Sequence, residues 1–290
     1  MPQQLCSTSP LWFAPPVSQD RGSIFLAAKF AKTPSPRYHP YVMQKKATVL
    51  FEIRLDEVES DSDSQQAYDE IYTESDISQT DSFYLWLLDI LAFRPGEQYL
   101  DISCGRAQLP RLAQGLGVKA HGLDLSYAAL RSGSQPPSPM LVTANSQDLP
   151  YANGRFDVVS NIGSLEHYVD METAVAEMTR VLKPGGRAVV LVPNSFSLLQ
   201  NIWSAYRKGR TMLDEQPIQR YASRYEWQDL LQIHGLIVTK TLKYDLERPR
   251  TRHDWQAYLH QPKKLARLAA AQLVPLNLAF CFVFLCHKPN

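Results

Sequence analysis

The sequence predicts an α/β fold in which a doubly wound, mostly parallel sheet carries helices on both faces. Three observations lead to this fold class. Residues 99–102 form an apolar strand pattern that breaks into small residues, and a helix pattern starts at once. Residues 182–186, Leu-Lys-Pro-Gly-Gly, end another helix and precede another apolar strand. Strand-length and helix-length apolar patterns alternate along the chain, which is typical of βαβ units around a parallel sheet.

The predicted strands are short apolar runs separated by helix patterns and turn residues. They lie at residues 99–102, 120–125, 140–143, 156–161, 188–192, 236–242 and 280–286. The fourth of these is apolar on both faces, as expected of a central strand in a parallel sheet. Ser223 and Glu226 have the spacing of a capping box, which predicts a helix start ahead of the sixth strand.

The apolar stretch near the C-terminus, residues 268–286, resembles both a membrane span and a helix followed by a strand. It carries no formal charge and is just long enough to cross ~30 Å of hydrocarbon. Pro275, Gln272 and Asn277 oppose a span. Because the predicted sheet needs a last strand here, the sequence favours an Ala-rich helix followed by that strand.

Composition limits the classes of function. With 290 residues, of which 44% are hydrophobic, the chain can bury the core of one α/β domain. The 30 Lys and Arg residues nearly balance the 29 Asp and Glu residues, so a small-molecule substrate is favoured over nucleic acid. The four cysteines and seven histidines lack the spacing of a disulfide framework or a metal site. We therefore expect a cytoplasmic protein that needs no metal.

Residues 1–64 are predicted to be an extension and linker outside the folded domain. The first part is rich in Pro and Ser and poor in acidic residues, and an acidic, Ser-rich stretch follows. This composition is typical of disorder, although an organelle transit peptide shares the shortage of acids. The folded domain is predicted over residues 65–290, with its first helix starting at Tyr68 and with inserts facing the substrate at 196–220 and 245–265.

Two motifs carry a resemblance to a known family: the loop Asp-Ile-Ser-Cys-Gly-Arg-Ala at residues 101–107, and residues 182–186. Together they resemble the class I methyltransferases that use S-adenosylmethionine, in particular the group around the ubiquinone and menaquinone biosynthesis C-methyltransferases. The resemblance implies a seven-stranded Rossmann-like sheet in the order 3-2-1-4-5-7-6, with strand seven antiparallel. Ser103 and Ala107 stand where glycines are common, and because both are small we expect a tighter loop that still functions.

Residues at the ends of the first two strands are predicted to bind the cofactor. Gly105 lets backbone approach the ligand closely, in the same loop as Ser103. In relatives the acid at the position of Asp101 helps to hold the ligand's amino group. Asp124 ends the second strand, followed by Leu125, where a carboxylate can accept hydrogen bonds from both ribose hydroxyls. A helix-capping role for Asp124 is the structural alternative.

Two later stretches and one lid segment are predicted to complete the site. Asn145 and Ser146 begin a stretch that resembles the family's adenine-reading segment, with Asn145 in place of the usual acid. Asn161 opens the stretch expected beside the transferable methyl group, and His167 within it is the candidate general base. Tyr72 comes from a segment that relatives fold over the ligand, where its ring could contact the sulfonium. Local packing explains His167 and Tyr72 equally well.

The two inserts mix aromatic and basic side chains, including Trp203 with Arg207 and Trp255 with Arg252. Such mixtures suit an acidic, phosphate-bearing or lipid-linked acceptor, or lipid headgroups. Solvated surface charge explains most of these residues more simply, so peripheral membrane contact is not favoured.

The sequence therefore predicts methyl transfer from S-adenosylmethionine to a small molecule. One alternative is a protein that binds the cofactor without turnover, which the departures at Ser103, Ala107 and Asn145 keep open. Another is a nicotinamide dehydrogenase, which would share the acid at Asp124 but gives no reason for residues 182–186.

Overall fold

The computed structural model describes residues 50–54, 58–74, 77, 79–133, 138–212 and 216–290. The strands are β1 (Phe51–Arg54), β2 (Gln98–Ile102), β3 (Lys119–Asp124), β4 (Met140–Thr143), β5 (Phe156–Ile162), β6 (Leu182–Pro193), β7 (Ile218–Tyr221), β8 (Ile237–Tyr244) and β9 (Cys281–His287). The helices are α1 (Asp61–Glu74), α2 (Asp81–Leu91), α3 (Gln108–Gln114), α4 (Tyr127–Gly133), α5 (Met171–Val181), α6 (Trp203–Lys208), α7 (Arg224–Ile233), α8 (Arg252–Leu259) and α9 (Pro262–Leu273).

The main sheet has seven strands in the order β4-β3-β2-β5-β6-β9-β8. Strands β2 to β6 pair in parallel, and β9 is antiparallel to both β6 and β8. This topology confirms the predicted fold class, the strand order and the antiparallel last strand. The C-terminal apolar stretch forms the end of α9 and then β9, as the sequence favoured. Within the described residues, no helix is long and apolar enough to cross a membrane.

Strand boundaries differ from the prediction at several ends. Strand β3 ends at Asp124 rather than at Leu125, and β5 continues to Ile162. The predicted start of the fifth strand at residue 188 was wrong, because β6 begins at Leu182 and includes the two glycines. Those glycines form backbone hydrogen bonds with Lys288, which directly follows β9: Gly185 N donates to Lys288 O, and Lys288 N donates to Gly186 O.

Helices cover both faces of the sheet, and alternate residues of each central strand point to opposite layers. On one face, Tyr99, Val158 and Val189 are buried against α2 and α3. On the other, their sequence neighbours Leu100, Val159 and Val190 are buried against α5 and α7. This double burial explains why the central strands are apolar at successive positions. Helix α7 starts with the predicted capping box.

A second, two-stranded sheet joins β1 to β7, with Phe51 opposite Tyr221 and Arg54 opposite Ile218. Residues 51–54 were expected to belong to an extension, and their partner is remote in the sequence, so no local pattern reveals the pairing. Helix α1 starts at Asp61, before the predicted start near Tyr68. Residues 1–49 lie outside the described residues, and the domain boundary at residue 64 stays a prediction.

Candidate functional site

A cavity of about 1080 Å³ opens where β2, β3, β4 and β5 end. This is the edge at which doubly wound sheets bind their ligands. Its volume is at the upper end of the range of roughly 300–1,000 Å³ for small-molecule pockets, so it has room for two ligands side by side. The cavity is lined by most of the predicted cofactor residues, namely Asp101, Ser103, Gly105, Asp124, Leu125, Asn145, Ser146 and Tyr72.

The loop after β2 has left-handed backbone at three positions, Ser103 (φ 59°), Gly105 (φ 53°) and Ala107 (φ 57°). Residues with a Cβ atom adopt this conformation at a cost of about 1–2 kcal/mol. The loop therefore keeps a glycine-type path although two of its glycine positions are substituted. At Gly105 a Cβ atom would lie 2.7 Å from the Tyr72 hydroxyl oxygen, so a side chain there would displace the Tyr72 ring.

Asp124 holds this loop through its carboxylate. Its Oδ2 accepts from Gly105 N at 2.7 Å, and its Oδ1 accepts from Ser126 N at 2.9 Å. Burial raises the pKa of Asp124 to about 6, although the backbone amides of Ser126, Gly105 and Leu125 favour the charged form. A carboxylate has about four acceptor positions, so roughly two remain for a ligand diol. The structural role and the predicted ribose-binding role are therefore compatible.

Asp101 is buried between strands at the same edge. Its Oδ1 accepts from Ser160 Oγ at 2.5 Å, and Ser160 Oγ also lies 2.6 Å from the Tyr99 hydroxyl. Burial raises the pKa of Asp101 to about 7. The carboxyl group therefore changes charge near neutral pH, at a point on the cavity wall where a ligand amino group would favour the charged form.

Asn145 makes protein contacts that the sequence did not predict. Its Nδ2 donates to Asp61 Oδ2 at 2.8 Å, and its Oδ1 accepts from Gln147 N at 2.9 Å. The Gln147 side chain donates to the other oxygen of Asp61 at 2.7 Å. Asp61 thus binds the loop after β4 through both carboxylate oxygens. An amide oxygen has two lone pairs, so Asn145 can still accept one bond from an adenine amino group.

Helix α1 is a lid that is fastened to the loops around the cavity. Besides the Asp61 contacts, Gln65 Nε2 donates to Leu125 O at 3.0 Å. Asp69 Oδ1 accepts from Ser126 Oγ at 2.5 Å and from Ala128 N at 3.1 Å. Sequence reasoning missed these residues because it began the helix too late. The signal was present: Ser60 and Asp63 cap the helix reciprocally, with Ser60 N donating to Asp63 Oδ2 and Asp63 N to Ser60 Oγ.

Tyr168 connects its own turn to the loop after β2 and to the end of β5; it ends the stretch predicted to lie beside the methyl group, but no role was predicted for it. Its hydroxyl lies 2.6 Å from Ser103 Oγ and accepts from Asn161 Nδ2 at 2.5 Å. Asn161 was expected to line the cavity, but it does not. It is connected to the cavity through the hydroxyl of Tyr168, a residue that does line it. Asn161 Oδ1 is buried and has no hydrogen-bond partner within the described residues. In the sequence, Tyr168 is marked only by its position directly after His167, the candidate base.

His167 lies on a short 3₁₀ turn and lines the cavity. Its Nδ1 is 2.5 Å from Ile218 O, and because a carbonyl oxygen only accepts, Nδ1 carries the hydrogen. Nε2 is then the basic nitrogen, with Glu166 Oε1 at 3.8 Å. The Tyr68 ring lies edge-on at 6.3 Å between centroids. This arrangement has the geometry of a general base whose protonated form a nearby carboxylate stabilises.

The two-stranded sheet holds the turn that carries His167. Arg220, on β7, donates through Nε to Glu52 Oε2 at 2.6 Å and through Nη1 to Tyr168 O. Arg220 is buried, and Glu52 comes from β1. Together with the bond from His167 to Ile218 O, these contacts fix the turn from two sides. Strand β1 is therefore a support for the candidate base.

The two inserts differ in their relation to the cavity. The first supplies part of the wall through Gln200, Met212, Gln216 and Gln219. Three of its basic residues, Arg207, Lys208 and Arg210, are exposed, Arg220 is buried, and none of the four lines the cavity. No residue in 245–265, all of which are described, lines the cavity, contrary to expectation. This second insert packs beside α2 instead, where Glu247 Oε1 accepts from Thr80 Oγ1 at 2.7 Å.

These residues fit the cofactor that the motifs imply. A methionine tail and a ribose diol need charged acceptors and close backbone approach, which Asp101, Asp124 and Gly105 provide. All three of these residues line the cavity, so the groups that such a ligand needs are at its wall.

Comparison with known proteins finds methyltransferases among the similar sequences. Residues 100–190 match a family described as a methyltransferase domain. Demethylmenaquinone methyltransferase from Staphylococcus epidermidis is 29% identical over 171 residues, covering 56% of this chain and 71% of the relative.

Two solved structures share the fold. A methyltransferase from Mesorhizobium loti that depends on S-adenosylmethionine aligns with a TM-score of 0.53 at 14% identity, covering 71% of this chain and 98% of that one. The cyclase SpnF aligns with a TM-score of 0.57 at 17% identity, covering 79% and 97%. The antiparallel β9 distinguishes this sheet from the all-parallel order 3-2-1-4-5-6 of dinucleotide-binding dehydrogenases.

Proposed function

We propose that this chain, a class I S-adenosylmethionine-dependent methyltransferase, methylates a hydroxylated aromatic acceptor that carries an apolar tail. Methyl transfer from S-adenosylmethionine to a small molecule follows from the match over residues 100–190 and from the fold. The class of acceptor is the proposal. The observation that carries it is the pairing of an oriented histidine base with a largely uncharged, aromatic wall.

Beyond the predicted cofactor residues and the acids Asp61, Asp81 and Glu166, the cavity lining combines aromatic and aliphatic side chains with neutral amides. These residues include Tyr68, Tyr84, Ile162, Leu191, Gln200, Gln216, Gln219, Tyr221, Tyr244 and Phe280. The lining contains Arg106 and Arg111 but no Lys within the described residues, and both arginines belong to the cofactor loop and α3. A flat, neutral acceptor fits this wall better than an acidic or phosphate-bearing one. The name of the Staphylococcus epidermidis relative points to demethylmenaquinone, a quinone whose reduced quinol form carries the ring hydroxyl groups that such a base would deprotonate.

His167 gives this acceptor its reactivity. Nε2 takes the proton of the ring hydroxyl, and the resulting phenolate is electron-rich at oxygen and at the neighbouring ring carbons. Because the carbonyl of Ile218 keeps Nδ1 protonated throughout, Nε2 is the one ring nitrogen that can accept the hydroxyl proton. Glu166, 3.8 Å from Nε2, stabilises the imidazolium. S-adenosylmethionine supplies an electrophilic methyl group when bound, and Asp124 and Asp101 are the acidic groups that would orient it.

The test is methylation of defined acceptors with cofactor labelled in its methyl group. We expect label on short-chain and long-chain naphthols or quinols, read by mass spectrometry, with the position on oxygen or carbon found by fragmentation. Matched aryl carboxylates and aryl amines serve as controls. Label on the amine or carboxylate acceptors, with none on the hydroxylated rings, would contradict the proposed acceptor class.

A further inference from the structure

The segment after β6 exposes a cluster of apolar and basic side chains, called here the 196–212 face. Its members are Phe196, Leu198, Ile202, Trp203, Tyr206, Arg207, Lys208 and Arg210. Trp203 is 57% exposed and Tyr206 is 79% exposed. Scattered exposed apolar residues are ordinary, but a contiguous group of this kind marks an interaction site.

The face is built on one continuous helical segment, in which a π-helical turn (Leu198–Ile202) continues into α6. Leu198, Ile202 and Tyr206 recur at four-residue spacing, so they lie along one side. The Trp203 and Tyr206 rings are 5.9 Å apart, and the Arg207 guanidinium lies 5.7 Å from the Trp203 ring. The apolar stripe therefore has cations at its edge.

Charge separates this face from the rest of the surface. Residues 196–212 contain three basic residues and no acidic one, whereas the whole chain has a net charge of +1. The next acids, Asp214 and Glu215, lie outside the described residues. Trp and Tyr beside Arg and Lys are the residues favoured where hydrocarbon meets lipid headgroups.

The same segment forms part of the cavity wall. Asn201 fixes it to the end of β6, because its Nδ2 donates to Asn194 O at 3.1 Å and to Ser195 O at 3.2 Å. Gln200 and Met212 from this segment line the cavity. A surface bound to the exposed side would therefore lie next to the acceptor half of the site.

We infer that the 196–212 face docks on an anionic lipid bilayer and brings the cavity to an acceptor held in that bilayer. This inference rests on the proposed apolar tail of the acceptor. The stripe of Leu198, Ile202 and Tyr206 enters the headgroup boundary, and the three cations contact anionic headgroups. The occupant is the lipid surface rather than a second protein, because both the aromatic residues and the uniform positive charge suit it.

Sedimentation of the full chain with vesicles tests the docking without any methyl transfer. We expect binding to vesicles of phosphatidylcholine with phosphatidylserine, and little binding to phosphatidylcholine alone. The double variant Tyr206→Ser, Lys208→Glu should lose at least about tenfold in binding, since each cation near an anionic surface contributes roughly fivefold. The matched control Tyr225→Ser, Lys263→Glu makes the same chemical changes at exposed positions of α7 and α9 and should bind like the parent.

Turnover on a water-soluble, short-chain acceptor is measured in parallel and should be the same for both double variants. That assay reports on the proposed function alone, so its failure is distinct from failure of docking. The inference is overturned if the parent chain stays in the supernatant with both kinds of vesicle. It is also overturned if the face variant and its control sediment equally, or if the face instead drives concentration-dependent self-association in the absence of lipid.

Discussion

The two halves of the cavity are built in different ways. On the cofactor side, Asp101, Gly105, Asp124 and Asn145 stand at or directly after the ends of neighbouring strands, so local sequence identifies them, although Asp61 also holds Asn145 from 84 residues away. On the acceptor side, His167 is oriented by a carbonyl 51 residues away on β7. Local motifs are thus enough to locate the cofactor residues, whereas the orientation of the acceptor residues depends on long-range pairing that no motif reveals.

The sharpest way to separate the two halves is His167→Ala. Turnover should fall by about 10²–10⁴-fold, because a positioned general base contributes that much. Affinity for S-adenosylhomocysteine, measured by calorimetry, should not change. Glu172→Ala, an exposed neighbour on α5, is the control and should leave turnover unchanged. Undiminished turnover of His167→Ala would remove this residue as the base.

Asp124→Ala should instead lower the affinity for S-adenosylhomocysteine, which His167→Ala leaves unchanged. The variant removes two acceptor positions for the ribose and the bonds to Gly105 N and Ser126 N that shape the loop. Hydrogen bonds to a charged group contribute about 1.5–3 kcal/mol each, so affinity should fall by roughly 100-fold or more. Asp124→Asn, which keeps the size and one acceptor oxygen, should lose less. Unchanged affinity of the alanine variant by calorimetry counts against the assigned site.

Cofactor affinity should also fall in mild acid. Because burial raises the pKa of Asp124 to about 6, the carboxylate becomes protonated as the pH drops through that value and loses acceptor capacity. Affinity should decrease by at least about tenfold from pH 7 to pH 5, because Asp101, whose pKa burial raises to about 7, also takes up a proton over this range. The free energy of unfolding depends on pH in the opposite direction. Because the pKa of Asp124 is higher in the folded chain than in the unfolded chain, its contribution to stability is fully present below the unfolded pKa and is lost as the pH rises through about 6. Calorimetric affinity that is flat across this range would contradict the acceptor role.

Arg220→Met tests whether the two-stranded sheet supports the base. The variant breaks the bonds to Tyr168 O and to Glu52, so the His167 turn is less well fixed. We expect kcat to fall by about tenfold with KM for the cofactor unchanged, as a small misplacement of a catalytic group produces. Arg220→Lys should restore part of the loss. Arg250→Met, which breaks an exposed ion pair with Asp89, is the control. If Arg220→Met keeps the parent kcat and pH profile, β1 has no part in positioning the base.

The smallest expected effect is a change in folding stability from a substitution in the loop after β2. Ala107→Gly relieves a left-handed backbone at a non-glycine residue, which is worth about 1–2 kcal/mol, but it also removes a fully buried methyl group and adds entropy to the unfolded chain. The free energy of unfolding should therefore change by less than about 1 kcal/mol. Ala113→Gly, in the interior of α3, removes an equally buried methyl group with no strain to relieve, so it should lower the free energy of unfolding by more. Thermal unfolding measures both, and an equal loss in the two variants would show that the loop does not store this strain.

The sequence predicted the fold well because its signals are local. Apolar runs end at Asp101 and Asp124, and the strand order and the antiparallel β9 followed from the family resemblance. Asp61 was missed although Ser60 and Asp63 gave a capping signal, because the acidic composition was interpreted as a linker. Glu52 and Arg220 could not have been paired, since 168 residues separate them and each alone resembles a surface charge. The pairing exists only after the sheet has formed.

The central claim is that S-adenosylmethionine binds over the ends of β2 and β3 with its sugar on Asp124. A crystal structure of the chain with S-adenosylhomocysteine measures this directly. We expect both ribose hydroxyls within hydrogen-bonding distance of the Asp124 carboxylate and the adenine beside Asn145 and Ser146. A ligand bound away from Asp124, or a crevice filled by Tyr72 and Tyr168 with no ligand present at saturating concentration, would contradict the account.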